Sequence, residues 1–148
     1  MSELKRTILY QAHLDAGATM VDFGGWDMPI QYPEGIIAEH LYCRRHCGIF
    51  DVSHMGRIDV EGPDQVAFLQ HVLSSNVLAL DLNQAQYCII PDANGYAIDD
   101  AYLYRFEEGK YFLVINAGNI DKDWAHLMNE AKNFDVKLTN VSDKYAAI

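Results

Sequence analysis

The pair Asn94-Gly95, set between two β-rich segments, constrains this chain more than any other feature. Both central residues of a type I′ turn need φ > 0, a conformation Asn and Gly reach at low cost. Residues 86–90 and 96–106 are therefore expected to pair as an antiparallel hairpin. Two carboxylates, Asp99 and Asp100, lie inside the second strand, where Asp is normally depleted. Side chains alternate between the faces of a strand. Alternation groups Asp100 with Ile98, Tyr102 and Tyr104, and Asp99 with Ala97, Ala101 and Leu103. A carboxylate between aromatic rings can hydrogen-bond a flat nitrogen heterocycle. The plainer alternative is one Asp in solvent and one accepting local backbone N–H groups.

Around this hairpin the elements follow in a definite order. Residues 57–60 read as a strand, and a helix follows Pro63 to about Leu73. After the two hairpin strands comes a third, 111–116. Asn119 is placed to cap a helix over 120–133, with Asp121 and Asp123 complementing its dipole and Trp124, Leu127, Met128 and Ala131 as its apolar stripe. A last strand covers 134–140. The succession is the split βαβ of ferredoxin-like domains with one extra strand, an α+β unit with a mixed or antiparallel sheet. Residues 55–140 are assigned to that unit.

Residues 1–54 cannot close a sheet of their own. They offer a helix over 7–16, a strand over 18–23 ended by Gly24-Gly25, and a helix over 35–46. Between them, 26–33 reads as a fixed loop because of Pro29 and Pro33. Residues 141–148 are expected to begin a strand that continues into a further C-terminal part.

Charge and composition exclude several function classes. The net charge of −10 argues against a nucleic-acid partner, which needs a basic patch. No run of about 18 apolar residues is present to span a membrane. The first residues lack the apolar stretch of a signal peptide. Three cysteines, an odd number, point to reduced thiols and a cytoplasmic protein.

Two lesser constellations are weak. His40, Cys43 and Cys47 share a helical face, but Arg44-Arg45 would repel a cation and no paired C-x-x-C is present, so no metal site is expected. Ser53 and His54 are adjacent on an extended run, point to opposite faces, and make a poor nucleophile–base couple.

Residues 20–29 (Met-Val-Asp-Phe-Gly-Gly-Trp-Asp-Met-Pro), 50–56 (Phe-Asp-Val-Ser-His-Met-Gly), Asn94-Gly95 through Asp99-Asp100, and 116–123 resemble, in order and spacing, the glycine cleavage system T protein family, the aminomethyltransferases. The resemblance runs along essentially the whole chain and covers only the front portion of the family's length. It implies a cloverleaf folate-binding architecture, with residues 1–54 as the beginning of the first domain. It implies transfer of the aminomethyl group from the lipoyl arm of H protein to tetrahydrofolate, with release of ammonia. It also implies a catalytic Asp100 that contacts the pterin. Tyr87, Met55, Tyr104, Tyr102 and Asn116 would be further folate-pocket positions. This chain departs from the family pattern at two pocket positions, with Tyr102 in the place of a smaller aliphatic residue and Asp59 in that of an apolar one. Carbon–sulfur substrates of this type develop cationic character on losing ammonia, which a fixed carboxylate stabilises.

The resemblance leaves three rivals open: another tetrahydrofolate-dependent demethylase or methyltransferase, a folate-binding accessory protein of iron–sulfur assembly, or a remnant that only binds a partner. The Asp pair favours the aminomethyltransferase. A cytoplasmic location is expected, or the mitochondrial matrix after import for a eukaryotic source. Apolar surface near residues 145–148 would favour self-association.

Overall fold

The structure, a computed structural model, describes residues 3–148 and contains two compact units. One holds the chain up to His54 together with Lys144–Ile148; the other holds Met55–Asp143.

In the first unit, helix α1 (Tyr10–Asp15) precedes a hairpin of β1 (Thr19–Phe23) and β2 (Trp26–Gln31), followed by helix α2 (Ile36–Arg45). The stretch expected to be a proline-fixed loop is thus a strand. Its hairpin turns on Gly24 (φ 59°) and Gly25 (φ 87°), with Phe23 paired to Trp26. Two consecutive left-handed residues give the I′-type turn that suits the strand twist. Pro29 is accommodated because this sheet has only two strands, so one side of β2 lacks a neighbour that would need its N–H. Residues 49–52 carry no regular structure, and neither do 145–148, which were expected to begin a strand. The link between these segments is Val52 N–H bonding Ala147 C=O at 2.9 Å. Few apolar side chains of this unit are buried. Ile36, Ile37, Leu41 and Tyr42 of α2 and Ile49 and Phe50 beyond it are exposed.

In the second unit, β3 (Gly56–Glu61), helix α3 (Gln65–Val72), β4 (Gln84–Pro91), β5 (Ala97–Glu107), β6 (Lys110–Ile115), helix α4 (Ile120–Glu130) and β7 (Lys137–Asn140) follow one another. The sheet order is β4-β5-β6-β3-β7, and every neighbouring pair is antiparallel. Strands β7, β3, β6 and β5 form the ferredoxin-like core, and β4 is the extra edge strand. The alternation read from the sequence is plain in β6, where Tyr111, Leu113 and Ile115 are buried and the residues between them half-buried. Their face, with Ile58, Val60, Cys88, Ile90, Ala101 and Leu103, packs on Phe68, Leu69 and Val72 of α3 and Leu127 of α4. Burying a side chain of that size contributes about 1.5–3 kcal/mol.

Three local expectations are corrected. Asn94-Gly95 does not form a two-residue turn; residues 92–96 make a longer loop in which only Gly95 has positive φ, 85°. Asp92 Oδ1 organises it by accepting the N–H groups of Asn94 and Tyr96, and a short polar acceptor at the head of a turn relieves the need for a second left-handed residue. Asn119 does not cap α4, since its side chain is turned to Asp99 instead. In the expected apolar stripe Met128 is exposed, and Asp123 takes the buried position one turn before Leu127.

Candidate active site

The site begins at the loop end of β5. Opposite the β4–β5 loop the register slips by one residue: Ile90 pairs with Asp99 but Pro91 with Ala97. Ile98 is the extra residue of this bulge, and it packs on the core rather than sharing the face of Tyr102 and Tyr104. Beyond the bulge, alternation resumes as expected. Ala101 and Leu103 are buried on the helix side, while Asp100, Tyr102 and Tyr104 face the other way.

That other face carries a row of rings. Tyr87 lies 5.6 Å from Tyr102, Tyr102 6.1 Å from Tyr104, and Tyr104 5.3 Å from Phe106 in a stacked arrangement. Tyr87 and Tyr102 are about half exposed, at 53% and 48%. The pKa of the Tyr87 hydroxyl is raised, first by desolvation, then by its hydrogen bond to Asp100 and the negative charge there. The phenol thus stays protonated and donates toward the carboxylate. Asp59, on β3, is held by Lys110 at 2.9 Å, which is why a charge is tolerated at that buried position.

Asn116 joins the two aspartates. Its Nδ2 donates to Asp100 Oδ1 at 2.7 Å and to Asp99 Oδ1 at 3.0 Å. Its place just past β6 explains this reach: β6 ends at Ile115, which pairs with Ala101, so Asn116 emerges beside the carboxylate pair. Gly56 pairs with Ile115 from the other side, so the register sets Met55 at the same end of the sheet. Met55 is half-buried. The structure therefore brings Tyr87, Asp100, Tyr102, Tyr104 and Asn116 together and places Met55 at their level in the register.

Sequence reasoning missed Asn119 and Asp123. Asn119 Nδ2 donates to Asp99 Oδ2 at 3.0 Å, and Asp123 is fully buried beside Asp99. The available signal was spacing: Asp123 and Leu127, four apart, share a helix face. Ser53 and His54 lie outside this cluster, at the end of the first unit. Ser53 Oγ accepts the Ala147 N–H at 3.0 Å. Among the described residues no three His, Cys, Asp or Glu side chains gather as a metal site, and no helix is long and apolar enough to cross a membrane.

A cavity in the first unit is lined by Ile30, Tyr32, Ile36, Tyr42, Ile49 and Phe50 among others, and none of the site residues lines it. It is an open groove with a mainly apolar lining, to which Glu34, Glu39, His40, Arg45 and His46 also contribute, whereas the β5 site has a carboxylate oriented by a defined donor. Chemistry is better assigned to the latter.

The split-βαβ fold that carries this site is shared with a solved transferase. The crystal structure of glycine cleavage system aminomethyltransferase T from Bartonella henselae matches with a TM-score of 0.90 and 40% identity, over 94% of this chain and 38% of that one. The GCVT N-terminal domain profile matches residues 9–148, and the chain belongs to that family. The aminomethyltransferase of Deinococcus deserti is 52% identical over 145 residues, and that of Thermus thermophilus 47% identical over 145. Each comparison takes in 98% of this chain, which spans about 40% of the length of those relatives.

Proposed function

We propose that this chain is the front part of an aminomethyltransferase of the glycine cleavage system, with tetrahydrofolate as acceptor and the aminomethyl-lipoyl arm of H protein as donor, working in the cytoplasm. Family membership and the orientation of Asp100 by Asn116 support this reading.

The residues suit a folate. Its flat pterin matches an open face of tyrosine rings, and Asp100 can accept from the ring nitrogens. The bound folate supplies the nitrogen nucleophile; the remaining work falls to the protein. Tyr87, Tyr102 and Tyr104 supply stacking surface, with Met55 as an apolar neighbour. Asn116 fixes one carboxylate oxygen of Asp100, so the group need not reorganise when positive charge develops nearby. Holding the acceptor beside that carboxylate also lowers the entropic cost of transfer. Tyr102 is bulkier than the aliphatic residue of the family pattern and narrows this face.

The test uses this chain completed by the remaining length of the Deinococcus deserti relative, assayed with lipoylated H protein and tetrahydrofolate. Asp100→Asn retains shape and one oxygen but removes the charge. It should lower kcat and kcat/KM together, on the order of a hundredfold, with folate affinity much less affected. Asp99→Asn should lower turnover less. Unchanged turnover in Asp100→Asn would refute the assignment.

A further inference from the structure

On the helix side of the carboxylate pair lies a buried group that the proposed chemistry does not use. Asp123 is 0% exposed, and among the described residues neither of its oxygens receives an N–H or O–H with a fixed hydrogen. The Lys122 ammonium is 4.0 Å away, is half exposed, and donates to the Ile98 carbonyl at 2.8 Å. The group that faces Asp123 from β5 is Asp99.

Asp99 is differently supplied. Its Oδ1 accepts from Asn116 and its Oδ2 from Asn119, both at 3.0 Å. Two carboxyl groups that face each other inside a fold disfavour double ionisation, and the Lys122 ammonium, 4.0 Å away and half in solvent, offsets that only in part, which favours one proton held between them. The oxygens with two amide donors make the better anion. The oxygens with none make the better acid, and Asp123 therefore donates to Asp99.

We propose that Asp123 is a positioning residue for the Asp100 carboxylate, acting through Asp99 and Asn116. The Asn116 amide has two hydrogens; one goes to Asp99 and the other to Asp100. While Asp123 holds its proton, Asp99 is anchored and the Asn116 amide plane is fixed between two acceptors. When that proton leaves, Asp99 and Asp123 repel, the Asp99 anchor shifts, and the hydrogen bond that aims Asp100 loosens. This rests on the role given to Asp100 above.

The electrostatics agree with the geometry. Burial, then the hydrogen bond to Asp99 and the charges of Asp99 and Asp100, push Asp123 up to about 7, against a small opposing effect of Lys122. Asp99 moves the other way: burial alone would raise it, but the bonds from Asp123, Asn116, the Asp100 N–H and Asn119 outweigh burial and hold it below the usual carboxylate range.

Two measurements test the proposal. In the chain itself, carbon-13 carboxyl and side-chain amide resonances are followed by NMR from pH 5 to 9. Asp123 should titrate near neutrality, and the Asn116 side-chain amide should move in the same transition. In Asp123→Asn, whose amide can still donate to Asp99, the Asn116 resonances should keep their low-pH positions throughout. An Asp123 already ionised at pH 5, or an Asn116 amide blind to its titration, would overturn the proposal. In the completed enzyme, Asp123→Asn should abolish the fall of kcat above neutrality, while Asp123→Leu should lower kcat on the order of tenfold to a hundredfold with KM for folate little changed. If turnover requires Asp100 yet the alkaline fall persists in Asp123→Asn, the positioning role is refuted. If turnover ignores Asp100 while the resonances remain coupled, the catalytic reading fails and the coupling of Asp123 to Asn116 stands.

Discussion

The two units hold themselves together by different means. The second buries an apolar layer between its sheet and two helices, from Ile58 to Val141. The first buries a single apolar side chain, Met28, among the described residues. At its centre lies a polar cluster instead. Asp51 accepts Thr7 Oγ1–H at 2.7 Å, His13 Nε2–H at 3.0 Å and the Ser53 N–H at 2.9 Å, and His13 Nδ1 meets the Tyr32 hydroxyl at 2.8 Å. Each unit thus holds a carboxylate whose side chain is almost wholly out of water, Asp51 at 2% and Asp123 at 0%. Burial pushes both upward, yet the donors from Ser53, His13 and Thr7 bring Asp51 down to about 2, and Asp123, without such donors, rises to about 7. The number of donors, and not burial, decides whether an inner carboxyl anchors loops or stores a proton.

The largest expected contrast is in local stability. Hydrogen bonds among polar groups each contribute only about 1 kcal/mol net, whereas core side chains contribute two or three times as much. Backbone amides of β1 and β2 should therefore exchange with solvent roughly 10³-fold faster than those of β3 and β6, the ratio given by a gap of about 4 kcal/mol in opening free energy. Hydrogen exchange read by mass spectrometry checks this. Equal protection would show that the first unit is held by more than its own side chains, and self-association through its exposed Ile36, Ile37, Ile49 and Phe50 is the expected source.

The two carboxyls should next give opposite pH dependences. Below about pH 4, Asp123 is protonated whether the chain is folded or not, and it contributes nothing. Between pH 4 and 7 the unfolded chain releases the proton and the folded one keeps it, so stability of the second unit falls as pH rises. A rise from 3.8 to about 7 sets an upper limit on the order of 4 kcal/mol. Asp123→Asn should recover most of it at pH 8, less whatever its second amide hydrogen loses for want of an acceptor, and should change little at pH 4. Denaturant melts of variant and parent at the two pH values provide the comparison, and a variant equally stable or weaker at pH 8 would contradict it.

Asp51 behaves in reverse. Its folded pKa is depressed, so its contribution is complete above the ordinary value of 3.8 and is lost as pH falls through about 2. The shift corresponds to about 2 kcal/mol. The β1–β2 hairpin and α1 should accordingly lose protection below pH 4 before the second unit does. Asp51→Asn should flatten this acid limb, because an amide cannot ionise.

How much of this was legible beforehand follows the same division. Strands β4 to β6 were readable because their period-two pattern is enforced by one continuous core. The pair Asp99-Asp100 was readable because Asp is out of place in such a strand. β2 was hidden by Pro29, whose cost depends on a neighbour that a two-stranded sheet does not have. Ile98 was misplaced because a bulge breaks alternation, and nothing in the local sequence announces one. Asp123 was read as a first-turn acid complementing the dipole, which its position allows. Its burial is decided by Asp99, Asn116 and Asn119 arriving from other elements, and that information is tertiary.

The smallest effect offers the closest control, because it places the same perturbation in both units. Gly25 has φ 87° and Gly95 φ 85°, and an added Cβ at either would meet nothing within 4 Å. Replacement by Ala therefore introduces backbone strain without a clash, about 1–2 kcal/mol when the turn is held rigidly. The two turns are held differently. In the second unit, the 92–96 loop is clamped by Asp92 and closes strands that continue into a five-stranded sheet. In the first, the turn joins a two-stranded sheet whose N–H at Gly25 is bonded by Asp22 and whose carbonyl accepts from Lys5 N–H. A loosely supported hairpin can relax its φ angles and relieve part of the strain, while a turn fastened to a packed sheet cannot. Gly95→Ala should thus lower stability by about 1 kcal/mol or somewhat more, measured by denaturant melts, and Gly25→Ala by visibly less. Equal losses would mean that the first unit's hairpin is as rigid as the second's despite its missing core, and the polar cluster around Asp51 would then have to supply that rigidity.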